Sequence, residues 1–274
     1  MTDRKERIVH NLLLDTKQVI PFPSARLVIY QPSVAEIGLI NEPSFLTAVN
    51  AITKNYKTMK VEDNSDLDSL SNFDILMSIM RENTEASKNI FKSVFNLLEL
   101  IFPTYNIRFT PSSFIFIPKD MQGEKEKVKV EPCIIDKNNF DEFAQIIYEM
   151  FGLAALLNEN VTQDYNPAGD RARALVEKFQ KKREFLAQLK KERGEDTSMS
   201  SVFGRYINIL AVGEHKDKNE LSKYSVYQLI EEFKRFQLKE AFDYTLQAKM
   251  AGATKIKDAK DWMQDIMLGA NTEE

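Results

Sequence analysis

Apolar residues recur at helical spacing through most of this chain of 274 residues, and that periodicity constrains its fold more than any other feature. The pattern is clearest from Glu85 to Phe102, where the apolar side chains share one face and Pro103 ends the helix. Those side chains are Ile90, Phe91, Val94, Leu97, Leu98 and Ile101. The same spacing predicts helices over Ser33 to Ile40, Phe73 to Arg81, Phe140 to Leu157, Ser201 to Val212 and Val226 to Ala251. The chain is therefore predicted to be mainly helical.

Strand patterns are confined to the N-terminal half. Tyr105 to Ile117 and Lys127 to Ile135 alternate polar and apolar residues, and the polar segment Asp120 to Glu126 joins them. Ala25 to Tyr30 is rich in β-forming residues, and we expect it to be the third strand, because a lone hairpin is marginally stable. The predicted fold class is α+β, predominantly α-helical, with a small antiparallel sheet in the N-terminal half and a helical C-terminal half.

A polar stretch from Asn158 to Gly169 marks a change in character, since no clear strand pattern follows it. We therefore predict two regions. Residues 1–157 form an α+β domain with a small β-sheet, and residues 158–274 form a helical region with a basic amphipathic helix and C-terminal helices.

Composition narrows the class of protein. With 43% hydrophobic and 28% charged residues, the chain has both the core material and the polar surface of a globular protein. The single cysteine, Cys133, excludes an intrachain disulfide and fits a reducing interior. Met1 to Leu14 lacks the features of a signal peptide, and no apolar run approaches the roughly 20 residues that span a bilayer. We expect an intracellular protein with no membrane passage.

Motifs that support catalysis are missing from the sequence. His10 and His215 are the only histidines, both in polar surroundings, and the chain has no phosphate-binding glycine loop and no G-x-S-x-G motif. The acidic stretch Lys57 to Ser71 contains no glycine, whereas an EF-type calcium loop needs one at its sharp turn. We predict that the chain is not an enzyme, and that it has no metal site and no cofactor.

One predicted helix, Asp170 to Arg193, is strongly basic. It carries nine Lys or Arg and three Glu between Arg171 and Arg193, and it has an apolar stripe on one side. Three interpretations stay open for the charges: a solvated outer face, a surface for an acidic protein partner, or a surface for nucleic acid or membrane. The net charge of −4 and the lack of interleaved aromatic residues argue against nucleic acid. The candidate partner-binding residues here are Arg171, Lys178, Lys182 and Arg183.

The predicted helix Val226 to Ala251 carries apolar residues on more than one side, which a single packing face cannot bury. Either another helix of this chain covers the remainder, or part of it binds a partner. Trp262, the only tryptophan, is either an interface anchor or a residue that closes a terminal helix onto the core. The candidate partner-binding residues here are Phe233, Phe236, Phe242 and Trp262.

Four segments resemble tail assembly chaperones of bacteriophages that infect Gram-positive bacteria. They are LVIYQPSVAEIGLI at Leu27 to Ile40, NPAGDRARALVEKFQKKREFLAQLKK at Asn166 to Lys191, VYQLIEEFKRFQLKEAFDYTLQAKMAGA at Val226 to Ala253, and DAKDWMQDI at Asp258 to Ile266. The resemblance is one of pattern and element order, since none of the four is a chemical signature.

The resemblance implies a protein of the host cytoplasm that coats the long helical tape-measure protein, or another tail protein, and keeps its apolar stripes from aggregating. Phe- and Met-rich helices suit this task because they adapt to many apolar segments. The resemblance leaves open whether the protein forms a homo-oligomer. The alternatives are a structural virion component of tail, baseplate or neck, and, with less support, a nucleic-acid-binding accessory protein.

Overall fold

The computed structural model describes residues 12–56, 70–119, 132–152, 201–252 and 262–263. Helices dominate these ranges, and their strands all precede residue 136. The prediction of an α+β fold with a sheet in the N-terminal half and helices in the C-terminal half is confirmed.

Three of the five helices named here for the N-terminal half begin at a side-chain cap, supplied by Ser33, Ser71 and Thr84. Ser33 and Ser71 each form a capping box with an acidic residue three positions later, which satisfies backbone N–H groups at the start of the helix. The helices are α1 Val34–Ile40, α2 Glu42–Thr53, α3 Asn72–Arg81, α4 Glu85–Ile101 and α5 Phe140–Met150. The last ends earlier than the predicted Leu157, because Gly152 turns the chain with a φ of 56°.

The strands form two antiparallel sheets where we expected one. In the first, β1 Ile20–Phe22 pairs with β2 Leu27–Ile29 across a 3-10 turn. The second has the order β3-β4-β5, built from β3 Tyr105–Thr110, β4 Ser113–Pro118 and β5 Cys133–Ile135.

Two details of the predicted sheet are therefore wrong. The segment Tyr105 to Ile117 is a hairpin and not one strand, because Pro111 and Ser112 form a tight turn inside it. The segment Ala25 to Tyr30 contributes β2, but β2 pairs with β1, and the third strand of the larger sheet is β5.

Residues 201–252 of the C-terminal half form three helices. They are α6 Val202–Gly213, α7 Lys218–Ser222 and α8 Val226–Met250. Ser225 and Gln228 form a capping box at the start of α8. The start of the short α7 is capped by Asp217.

Hydrogen bonds attach these C-terminal helices to the N-terminal half. The Glu42 carboxylate accepts bonds from the Val202 N–H (2.7 Å) and from the Ser201 hydroxyl, and so places a negative charge at the start of α6. The Val34 N–H donates to the Tyr224 carbonyl at 2.9 Å, beside the start of both α1 and α8. Residues far away in sequence thus hold the starts of α6 and α1 in place.

The hydrophobic core is continuous across the described residues of both halves. Phe45 of α2 is fully buried, and its ring packs against Phe151 at 4.8 Å and Phe203 at 5.8 Å between centroids. One side chain thus joins α2, the end of α5 and α6. The division of the chain near residue 158 stays a prediction.

Because Phe45 joins three elements, we predict that Phe45→Ala lowers the free energy of unfolding by about 3–5 kcal/mol. The matched control is Leu39→Ala on α1, since Leu39 is 85% exposed and its loss should change stability by no more than about 0.5 kcal/mol. Chemical denaturation followed by circular dichroism measures both. A loss below about 1 kcal/mol in Phe45→Ala would contradict the role of this ring.

Alkaline pH should destabilise the fold through Tyr227, which is 6% exposed. Burial, with the nearby charges of Asp15 and Glu231, raises the pKa of this phenol to about 12. Its pKa in the unfolded chain is about 10, so its contribution is fully present below pH 10 and is lost as the pH rises towards 12. In Tyr227→Phe, stability should therefore fall less steeply between pH 10 and 12, as measured by urea denaturation at each pH. Equal slopes in the two proteins would contradict this.

Candidate protein-binding surface

Helix α8 is packed into the core only along its first part. Its buried residues are Val226, Tyr227, Leu229, Ile230 and Phe233. Phe233 stacks on Tyr206 of α6 with 4.3 Å between ring centroids. None of residues 234–250, all of which the structure describes, is buried. The outer part of α8 is therefore held by the hydrogen bonds of the helix more than by the core.

Large apolar side chains are exposed on this outer part. Tyr244 is 67% exposed, Leu246 47% and Met250 81%. Phe242 is half-buried. These side chains lie on more than one side of the helix, and exposed apolar surface often marks a site of protein association.

An open groove lies beside this part of α8, between α6 and Phe236. We call it the α6–α8 groove; its volume is about 710 Å³. It is lined by Ser201, Gly204, Arg205, Asn208, Ile209, Val212, Gly213 and Phe236. Val212 is 76% exposed and Ile209 36%, so apolar side chains meet solvent along the groove. Such a surface suits the apolar face of a partner helix.

A close approach between Gly213 and Phe236 shapes the groove. The Phe236 ring lies so near the Gly213 backbone that a Cβ on residue 213 would overlap it. Glycine at the end of α6 therefore lets the tip of the Phe236 ring lie close against α6. This contact fixes the position of Phe236, which lines the α8 side of the groove.

Ion pairs hold the segment after α6 against α8. The Lys216 ammonium lies 2.9 Å from a Glu214 carboxylate oxygen and also pairs with Glu232 on α8. Burial by itself lowers the pKa of Lys216, but hydrogen bonds to Glu232 and Glu214, together with their charges, outweigh it and raise the pKa above its ordinary value. Lys216 thus stays charged and ties α8 to the end of α6.

Trp262 lies beside α8. The Arg235 guanidinium pairs with Glu231 one turn earlier, and its Nη1 donates to the Trp262 carbonyl at 3.4 Å. The Trp262 side chain is half-buried, whereas Met263 beside it is 68% exposed.

The predicted site residues therefore occupy different environments. Phe233 lies in the core, Phe236 lines the groove, and Phe242 and Trp262 are half-buried. The basic residues Arg171, Lys178, Lys182 and Arg183 lie outside the described residues. The set as a whole stays a prediction.

Sequence reasoning missed Ile209, Val212 and Gly213 as part of a surface, because it took Ser201 to Val212 as a short apolar helix and looked only for its core residues. Phe203, Tyr206 and Leu210 are indeed buried, but Ile209 and Val212 lie on another side of the helix. The signal was present in the spacing, since these two residues are three apart and out of phase with the buried set.

Two further properties bear on the kind of site. Within the described ranges, no group of three or more His, Cys, Asp or Glu side chains could hold a metal ion. Most of the acidic stretch Lys57 to Ser71 lies outside those ranges. No helix in the part of the chain that the structure describes is long and apolar enough to cross a membrane.

Comparison with known proteins points to the same region of the chain. Residues 196–267 match a family model described as the YomV second domain. This family is phage-associated, and the match fits a phage protein. No curated protein and no solved structure matches the chain. The matched segment contains α6, α7, α8 and the whole α6–α8 groove.

The close approach at the groove gives a prediction about coupling. Gly213→Ala alone should lower the free energy of unfolding by about 1 kcal/mol or more, because the new methyl group overlaps the Phe236 ring. In the background of Phe236→Ala the same change should be neutral or stabilising, because the space is free and alanine favours the helix. A double-mutant cycle by thermal denaturation measures this coupling. Additive effects would show that the two residues do not touch in solution.

Proposed function

We propose that this chain is a non-enzymatic phage tail assembly chaperone that holds an apolar helical segment of a tail protein, the tape-measure protein above all, in the α6–α8 groove. The observation that carries the proposal is the position of the groove: it lies wholly within the segment that matches a phage-associated family. The resemblance to tail assembly chaperones at Val226 to Ala253 and Asp258 to Ile266 falls in the same segment of the chain.

The chemistry of the groove favours an amphipathic helix as the occupant. Side chains of Ile209, Val212 and Phe236 supply an apolar lining, and Arg205 and Asn208 add polar groups. A helix that inserts apolar residues at positions i, i+3 and i+7 would remove this lining from water, which is the main favourable term in such binding. The groove contains no arrangement of charges that would demand one particular sequence.

Weak selectivity suits a chaperone for a long client. Leu246 and Met250 extend the exposed apolar surface along α8, and methionine adapts its shape to different partners. A tape-measure protein repeats similar apolar stripes along its length, so many copies of this chain can bind one client. Occupancy then depends on the number of sites more than on the affinity of each.

Val212→Asp tests the groove. An apolar client would have to desolvate the new carboxylate, so we expect the affinity for the tape-measure protein of the same phage to fall about tenfold or more. Pull-down after co-expression and titration calorimetry measure this affinity. Leu39→Asp is the matched control, because Leu39 is as exposed as Val212 but lies on α1. Equal binding by Val212→Asp and Leu39→Asp would reject the groove as the binding site.

Mass spectrometry of purified virions separates the chaperone from a structural virion component. A chaperone should be absent from the particle, whereas a tail, baseplate or neck protein should be present in stoichiometric amounts. Salt-steep binding to DNA in a filter assay would instead favour the nucleic-acid alternative and contradict the proposal.

A further inference from the structure

Among the described residues, the larger sheet has one covered edge and one edge where the backbone of Ile107 and Phe109 has no partner. At the β5 edge, the Asn139 amide donates to the Ile134 carbonyl at 2.9 Å, and the Cys133 thiol lies 3.4 Å from the Arg26 carbonyl. At the β3 edge, no such partner lies among the described residues. An open strand edge is a template for pairing with another strand.

The register of the hairpin shows which backbone groups face that edge. Thr104 accepts a hydrogen bond from Lys119 N–H at 3.0 Å, in line with the pairing of Tyr105 with Pro118. Bonded positions alternate along an antiparallel strand, so even-numbered residues of β3 bond to β4. The N–H and C=O groups of Ile107 and Phe109, and the C=O of Tyr105, therefore point outwards.

We propose that β3 pairs antiparallel with β3 of a second copy of this chain, with Ile107 opposite Ile107 across a two-fold axis. In this register Tyr105 of each copy lies opposite Phe109 of the other. Ile107 N–H and C=O bond to their counterparts, and each Phe109 N–H bonds to a Tyr105 C=O. The Tyr105 N–H is already used, since it donates to Phe102 C=O at 3.1 Å. Two three-stranded sheets become one continuous sheet.

Two prolines limit the length of this edge. Pro103 and Pro111 flank β3 at equal distances from Ile107, and neither has an N–H to donate. Of the two neighbouring registers, the one that places Asn106 opposite Asn106 forms fewer bonds within β3, because the Tyr105 N–H is already used. The one that places Arg108 opposite Arg108 keeps the number of bonds but brings like charges together. A longer strand from another protein would meet the same two prolines. The edge therefore fits a partner as short as itself.

Side chains agree with the same register. Arg108, which is exposed, lies opposite Asn106 of the second copy, whereas the shift towards Pro111 would bring two Arg108 side chains together. On the other face of the sheet, the Phe109 ring lies 5.1 Å from Phe91 and 5.7 Å from Phe95. Tyr105 of the second copy would join this aromatic cluster, part of which is now exposed: Phe91 is 38% exposed.

This inference is independent of the proposed function, because β3 and the α6–α8 groove share no residue. If both hold, each dimer carries two grooves, and two linked sites bind a repetitive client more tightly than either site alone.

Charge changes at Asn106 test the pairing by sedimentation equilibrium of the full chain. Asn106→Arg places two arginines opposite each other at two symmetry-related positions, so the dimer dissociation constant should rise about tenfold. Asn106→Glu places a carboxylate opposite Arg108, so the constant should fall. Both changes point away from the core, and circular dichroism checks that both variants fold. A wild-type protein that stays monomeric, or an equal response to the two changes, would overturn the proposal.

Cysteine cross-linking tests the register itself, in a Cys133→Ser background. Ile107→Cys should form an intermolecular disulfide on mild oxidation, because directly opposite residues in a bonded pair lie about 5.5 Å apart at Cα. Arg108→Cys is the matched control and should not cross-link, because its counterpart is displaced along the strand. Cross-linking by Arg108→Cys and not by Ile107→Cys would overturn the register.

Client binding by Asn106→Arg tests which partner occupies the edge. If the wild-type protein is a monomer and this variant loses client binding, the edge binds a client strand instead, which also overturns the proposal.

Discussion

The packing of Phe45 against Phe151 and Phe203 is the interaction on which the rest of the structure depends. It places α6 against α2 and the end of α5, while Glu42, one turn earlier on α2, holds the start of α6. Once α6 is placed, the ring pair of Tyr206 and Phe233 sets the position of α8. The groove between α6 and α8 is therefore a consequence of how a buried phenylalanine in the N-terminal half is packed.

Local sequence determined the helices, and so the helices could be predicted. The hydroxyls of Ser33 and Ser225 each accept a hydrogen bond from the backbone N–H of the third residue of the helix. A few adjacent residues therefore determine where α1 and α8 begin. The groove is different. Gly213 and Phe236 meet through tertiary packing, and nothing in the spacing of either helix says that this glycine will face that ring. The predicted residue Phe236 belongs to the surface, but its partners on α6 could be found only from the structure.

The larger sheet was mispredicted for a related reason. A central strand that is apolar on both faces hides the phase of its side chains, and β4 carries Phe114 and Phe116 on one face and Ile115 and Ile117 on the other. The change of phase at Pro111 and Ser112 was thus invisible in the alternation. The turn itself was visible as a proline followed by serines, and giving it more weight would have split the segment correctly.

Helix α8 has 25 residues and is thus about 37 Å long, yet its last buried residue is Phe233, near its start. An α-helix transmits load along its hydrogen bonds, so the outer part acts as a lever arm whose pivot is the stacked pair of Phe233 and Tyr206. A force applied near Met250 would exert torque on this pivot, and Tyr206 would pass it to α6 and the core. Anything that grips the far end of α8 therefore pulls mechanically on the whole fold.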